Sequence, residues 1–142
     1  MGKQIVVGFD EQIKQWVQNE TGMGIDGDVR CMGVVRDDKL IAGIVYHNYK
    51  GFMVEATLVT TDRRWIGKDV VKAFMSYPFE PVSSGGLGCE RFWATTNRKN
   101  KKMRKLFEGL GFKYEGCARK AFDGNEDAMI YSILKDENKW IN

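Results

Sequence analysis

The sequence holds one histidine, three cysteines and two prolines, and the first two scarcities each remove a class of protein. His47 stands alone, and Cys31, Cys89 and Cys117 show no metal-like pairing, so no zinc or other metal site is expected. An odd number of cysteines without paired spacing argues for reduced thiols, the state expected in a cytoplasmic protein. No stretch reaches the ~18 apolar residues of a membrane span. Residues 1–8 turn polar and charged before the apolar core of a signal peptide could form. No Ser-His-Asp or Cys-His arrangement for nucleophilic catalysis is legible either.

What is present suits one soluble domain over residues 1–142. Hydrophobic residues make up 43% and charged residues 29% of the chain, with four Trp and eight Phe to fill a core. The net charge of +3 is unevenly placed. Arg98, Lys99, Lys101, Lys102, Arg104 and Lys105 crowd into one acid-free segment, and without it the chain is net acidic. Arg63, Arg64 and Lys68 form a second, smaller cluster. Local basic clusters suggest a localised anionic ligand more than diffuse nucleic-acid binding.

Hydrophobic periodicity orders the elements. Asp10 is placed to cap a helix with Ile13, Trp16 and Val17 on one stripe, ending near Gly22. Strand-like runs cover residues 29–36, 40–49 and 52–60, joined by short turns at Asp37-Asp38-Lys39 and Lys50-Gly51. A second helix is expected over 63–77, with Ile66, Val70, Val71 and Phe74 at helical spacing and Pro78 as its stop. A loop over 81–88 leads to a strand over 91–96. A third helix over 99–110 shows Met103, Leu106, Phe107 and Leu110 on one face and Gly111 as its cap. Strands over 112–122 and 128–134 finish the chain. The order α, three strands, α, β, α, β, β predicts an α+β fold. Its sheet is mixed, mostly antiparallel, with one parallel crossover.

Two of these helices begin with the wrong charge. A helix N-terminus carries partial positive charge and favours acids. Here one opens with Arg63, Arg64 and Lys68, and the next with Arg98, Lys99, Lys101 and Lys102. A phosphate-bearing ligand would relieve both mismatches; solvated surface lysines are the plain alternative. Gly67 permits close backbone approach at the start of the second helix. The run Gly85-Gly86-Leu87-Gly88 precedes a strand and reads as a flexible loop, because a phosphate cradle should open a helix. His47 reads as a structural or exposed residue with no evident partner. Glu55, inside an apolar strand, is either an outward-facing acid or a base whose pKa is raised by its surroundings.

Residues 100–112, reading Asn-Lys-Lys-Met-Arg-Lys-Leu-Phe-Glu-Gly-Leu-Gly-Phe, resemble the GNAT acetyltransferase motif in which Asn opens a helix ending in Leu-Gly-Phe. The following Lys113-Tyr114-Glu115-Gly116-Cys117-Ala118-Arg119 is similar to the ribosomal-protein N-acetyltransferase branch, which includes phage-encoded members. Tyr77-Pro78-Phe79, the strand Arg91-Phe92-Trp93-Ala94-Thr95 and the closing Met129-Ile130-Tyr131-Ser132-Ile133-Leu134-Lys135 look like that branch too. The resemblance spans about residues 40–140.

The resemblance implies a splayed parallel strand pair in a sheet flanked by helices, acetyl-CoA as acyl donor and an amine as acceptor. Backbone N–H near Val59 is then expected to orient the acetyl carbonyl. Arg64, Gly67 and Lys68 fall in the pyrophosphate loop, and Asn100, Lys101 and Met103 beside the pantetheine arm. Glu55 is the expected base, and Asn100 the second catalytic candidate. Asp69 stands where the family usually has a small residue, and Phe107 where it often has a tyrosine that protonates the departing thiolate. Those departures define the rival expectation, a non-catalytic module that binds CoA or nucleic acid. A nucleobase-modifying enzyme is a third. The N-terminal part is short for the family, so a homodimer could supply part of the acceptor wall.

Overall fold

The computed structural model describes residues 2–141. Seven strands form one sheet in the order β1-β2-β3-β4-β5-β7-β6. They are β1 (Gln4–Val7), β2 (Arg30–Arg36), β3 (Lys39–His47), β4 (Met53–Thr60), β5 (Arg91–Asn97), β6 (Lys113–Ala118) and β7 (Ala128–Leu134). The helices are α1 (Asp10–Thr21), α2 (Lys68–Ser76) and α3 (Lys101–Leu110). Every neighbouring pair is antiparallel except β4 with β5, which α2 connects by a crossover. The α+β expectation and its single parallel pair are therefore met.

Strand alternation assigns the faces. On β5, Phe92, Ala94 and Thr96 are buried while Arg91, Trp93, Thr95 and Asn97 are half-exposed, the period of two that a pleated strand imposes. Phe92 lies at the centre of the main core. Its ring centroid is 5.5 Å from that of Phe74 on α2 and 5.4 Å from that of Phe112. Phe107 and Leu110 bring α3 onto the same core, and Gly111, in the left-handed region at φ 104°, ends that helix. The opposite face is covered by α1, whose Ile13 and Val17 pack on Cys31 and Val45. Close approach is possible there because Gly33 and Gly43 face each other across β2 and β3. A Cβ on Gly43 would lie 2.8 Å from a Val17 methyl.

Four sequence expectations are corrected. β1 was not anticipated, because Ile5-Val6-Val7 is too short a run to signal a strand without its partner β2. Asp10 is the first residue of α1, not its cap; its carboxylate accepts the Cys31 N–H at 2.9 Å instead. The long helix over 63–77 is two pieces, a 3-10 turn at Arg63–Trp65 and α2. Asp62 caps the turn, and the extended backbone of Gly67 (φ −177°) separates the pieces. The glycine-rich run is a tied loop. Gly86 N–H donates to Pro81 O at 3.0 Å, Leu87 N–H to Tyr77 O at 3.1 Å and Gly88 N–H to Glu80 O at 2.8 Å.

A Cβ on Gly86 would run into the Glu80 backbone, which cannot swing aside as a side-chain tip can. Gly86→Ala is thus expected to cost about 1–3 kcal/mol, the usual range for overpacking. A denaturant melt would register it as a lower midpoint at unchanged slope.

Candidate active site

The parallel pairing is short. β4 and β5 are in register only from Met53 with Arg91 to Ala56 with Ala94. Beyond that point residues 57–60 keep only β3, and residues 95–97 keep only β7. The sheet is split there by a fork with its apex at Ala56 and Ala94. Backbone groups that face the fork have no strand to pair with, yet each N–H and C=O demands a partner. An extended ligand carrying amides can satisfy them as an added strand would.

Chain order puts two helix starts at the mouth of this fork, because α2 follows β4 and α3 follows β5. On the first side, Arg64 is tied back onto Asp62, with Nη2 to Oδ2 at 2.6 Å and Nε to Oδ1 at 3.0 Å. Those bonds hold the Asp62 carboxyl well below its usual range. Lys68 and Asp69 are the only charged residues in the first turn of α2, so the expected surplus of cations at that helix start is absent. Lys3, brought over by β1, reaches the loop from across the sheet: a Cβ on Gly67 would lie 2.7 Å from its ammonium nitrogen and 3.1 Å from Asp69 Oδ1. Gly67 leaves room there for a cation that sequence reading did not connect with it.

On the second side the mismatch holds. α3 has no acid in its first turn and begins with Lys101 and Lys102. Asn100 is its cap, its side-chain oxygen accepting the Met103 N–H at 3.1 Å. That leaves the Asn100 amide nitrogen as the group free for a ligand. Lys99 and Arg98 are partly spent on the β6–β7 loop, with Lys99 Nζ 2.8 Å from Glu126 and Arg98 3.6 Å from Asp127. Met103 and Leu106 of α3 and Leu58 of β4 are half-buried against the core, an apolar lining between the two helices.

At the apex the opposite face is polar. Val54 and Ala56 of β4 enter the core under α2 and α3, so Glu55 and Thr57 point to the face that α1 partly covers. Val59 points the same way and packs on the α1 cluster. Glu55 is half-buried, and burial raises its carboxyl above the ordinary value while the Asn48 amide, donating at 2.7 Å, pulls it back. His47 is opposite Glu55 in the β3–β4 register. Its Nδ1 is 4.0 Å from Glu55 Oε1 and its Nε2 is 2.8 Å from Thr57 Oγ. Burial lowers the His47 pKa from 6.5 to about 4, so the ring is neutral near pH 7 and its contact with Glu55 is not an ion pair.

His47 is therefore neither exposed nor without a partner. Its partners sit on the next strand, eight and ten residues away, and only the hairpin register reveals them. Trp93 is opposite Glu55 across the parallel pair. Its indole N–H is buried with no hydrogen-bond partner, a state that costs about 1–3 kcal/mol. Phe107 lies in the core with its ring 5.2 Å from Phe112 and 5.5 Å from Tyr131. Among the described residues no three His, Cys, Asp or Glu side chains gather as a metal site, and no helix is long and apolar enough to cross a membrane.

A forked mixed sheet with two helices starting at its mouth is the fold of the GNAT acetyltransferases. A spermidine N-acetyltransferase SpeG chimera from Vibrio cholerae and hSSAT superposes with a TM-score of 0.73 at 15% identity, covering 100% of this chain and 99% of that one. The ribosomal-protein-S5-alanine acetyltransferase of Vibrio fischeri gives 0.69 at 17%, covering 98% and 96%. A GNAT-family acetyltransferase from Bacillus anthracis gives 0.61 at 22%, covering 75% and 67%. At these identities the likeness establishes the fold. No protein-family model and no curated protein sequence matches the chain.

Proposed function

We propose that this chain is an N-acetyltransferase that takes the acetyl group from acetyl-CoA and delivers it to an amine by direct attack. The observation that carries the reading is the fork, with a desolvated carboxylate, Glu55, at its apex on the face opposite α2 and α3. Donor and acceptor thus have separate entrances that meet at one point.

In this reading the fork edges hold the pantetheine amides, and Leu58, Met103 and Leu106 cover its apolar parts. Backbone N–H groups of residues 66–68, with Lys3 and Lys68, hold the pyrophosphate; those of Arg64 and Trp65, also expected there, are spent on Asp62. Lys101 and the Asn100 amide contribute from α3. Arg64 can join them only by leaving Asp62. Glu55 takes one proton from the incoming ammonium, and the freed nitrogen pair attacks the thioester carbonyl. A backbone N–H near Val59 stabilises the oxyanion. Collapse breaks the carbon–sulfur bond and releases a thiolate, and the attached nitrogen gives its second proton to solvent as the amide forms. Phe107 has no proton for it, so solvent protonates it. The acceptor's entrance lies on the α1 face, where a second copy of the chain could complete the wall.

The basic segment is best read as part of the donor site. Two of its six cations are paired with acids, which weakens the case for a nucleic-acid surface. Calorimetry separates the uses. Reversing Lys101 and Lys102 to Glu is expected to weaken CoA more than dephospho-CoA if they serve the cofactor's 3′-phosphate. Equal loss for both would remove them from that role. Nucleic-acid binding that falls steeply with salt would favour the rival surface.

A further inference from the structure

Thr57 and His47 form a pair whose proton can lie on either partner, and the surroundings decide which. The neutral imidazole carries one N–H. Its Nδ1 faces Glu55 Oε1 at 4.0 Å, and its Nε2 faces Thr57 Oγ at 2.8 Å. A carboxylate beside Nδ1 favours the proton there, and then Nε2 can only accept. The Thr57 hydroxyl must donate to it. Its hydrogen is thereby committed, and its remaining lone pairs can only accept.

This matters because of where Thr57 stands. It is the first residue of β4 beyond the parallel pairing, two positions from Glu55 on the same face, and it is half-buried where Glu55 is half-buried. A hydroxyl fixed as an acceptor on the same strand face as a carboxylate, two residues along, offers a second acceptor to a group that brings at least two N–H donors. We propose that Thr57, held in this role by His47, is a specificity-determining residue that receives an N–H of the acceptor's ammonium while Glu55 receives another. The proposal rests on the acetyltransferase reading for the identity of the cation. The site itself selects a primary or secondary ammonium over a quaternary one. A tertiary ammonium, with one N–H, satisfies Glu55 or Thr57 but not both.

The single histidine makes the test clean, since its ring nitrogens are the only imidazole signals in the spectrum. Long-range proton–nitrogen NMR on the full chain near pH 7 is expected to show a protonated Nδ1 and a bare Nε2. Methylammonium should shift the His47 ring nitrogens, and tetramethylammonium, with no N–H, should not. Thr57→Val should abolish the methylammonium response, and Thr57→Ser should keep it. A proton on Nε2, equal responses to the two cations, or a response that survives Thr57→Val would overturn the proposal.

These outcomes do not depend on turnover, so they stand apart from failure of the enzymatic reading. Where turnover is measured, Thr57→Val should raise the amine KM roughly ten- to a hundredfold, the worth of one hydrogen bond to a charged group. The KM for acetyl-CoA should be unchanged, and Thr57→Ser should stay near wild type. Thr57→Val with an unaltered amine KM would also overturn it.

Discussion

Glu55→Gln is expected to lower acetyl-transfer turnover by roughly 10²–10⁴-fold near pH 7, the contribution of a positioned general base, while CoA affinity stays nearly constant. The isosteric amide keeps the contact with Asn48 but cannot take a proton. The pH dependence follows from the raised carboxyl pKa of Glu55. In the wild type, activity should fall as pH drops through that raised value, because the base becomes protonated. In the variant this limb should vanish, and the deficit should shrink at high pH as more of the amine arrives already neutral.

Stability should move the opposite way. A carboxylate whose folded pKa is raised costs the fold stability above that pKa, and the cost disappears below the ordinary value. Glu55→Gln should therefore melt higher than wild type at neutral pH. Loss of turnover joined to gain of stability is the signature of a residue kept for chemistry. Thermal melts and thiol-release assays on one preparation check both halves. Turnover untouched by Glu55→Gln would remove Glu55 from the mechanism.

His47→Gln is expected to change the acid stability of the whole domain. The wild-type ring stays neutral in the fold down to about pH 4, whereas in the unfolded chain it takes a proton near 6.5. The unfolded state thus binds more protons between those values, so stability falls as pH drops from 6.5 through 4. The full window corresponds to about 3 kcal/mol. Paired carboxylates such as Glu115 and Asp127 add their own loss at lower pH, so the difference between wild type and variant is the quantity to read. That difference should change by about 3 kcal/mol across the window and be flat above pH 7. Urea melts at half-unit steps of pH measure it. A difference that stays constant from pH 7 to pH 4 would mean that His47 is not held neutral.

Local signals in the sequence were good where one element decides the outcome. The 3.6-residue spacing of Met103, Phe107 and Leu110 with Gly111 located α3 to within two residues. Asp37 and Asp38, both at positive φ, form the turn between β2 and β3, one residue shorter than the Asp37-Asp38-Lys39 turn expected, because Lys39 opens β3. Periodicity failed at α2, because Ile66 fits the helical stripe yet is exposed. The Asp62 cap and the extended Gly67 interrupt the helix there, and a hydrophobic count carries no information on either.

The candidate site was half legible. Glu55 and Lys101 stand out by type and position, and Asn100 only through the resemblance. The fork itself was expected only through resemblance to other chains, since loss of pairing beyond Ala56 and Ala94 leaves no mark on local pattern. Trp93 beside Glu55 and His47 between Glu55 and Thr57 are contacts made by sheet register, and Lys3 meets the Gly67 loop only in the folded chain. Such contacts join residues that no spacing rule links.

The central claim is that the fork holds an acyl-CoA with its pyrophosphate at Gly67. Calorimetric titration of CoA into wild type and Gly67→Val tests it most directly. The extended backbone at Gly67 accepts valine without strain, so the variant should fold. Its side chain would take the space between the Lys3 ammonium and the Asp69 carboxylate and block backbone approach by phosphate. The account predicts saturable one-to-one binding to wild type and affinity at least about tenfold weaker for Gly67→Val, the equivalent of one charge-assisted hydrogen bond lost. Folded wild type that gives no binding heat at millimolar CoA, or a Gly67→Val variant that binds as tightly as wild type, would contradict it.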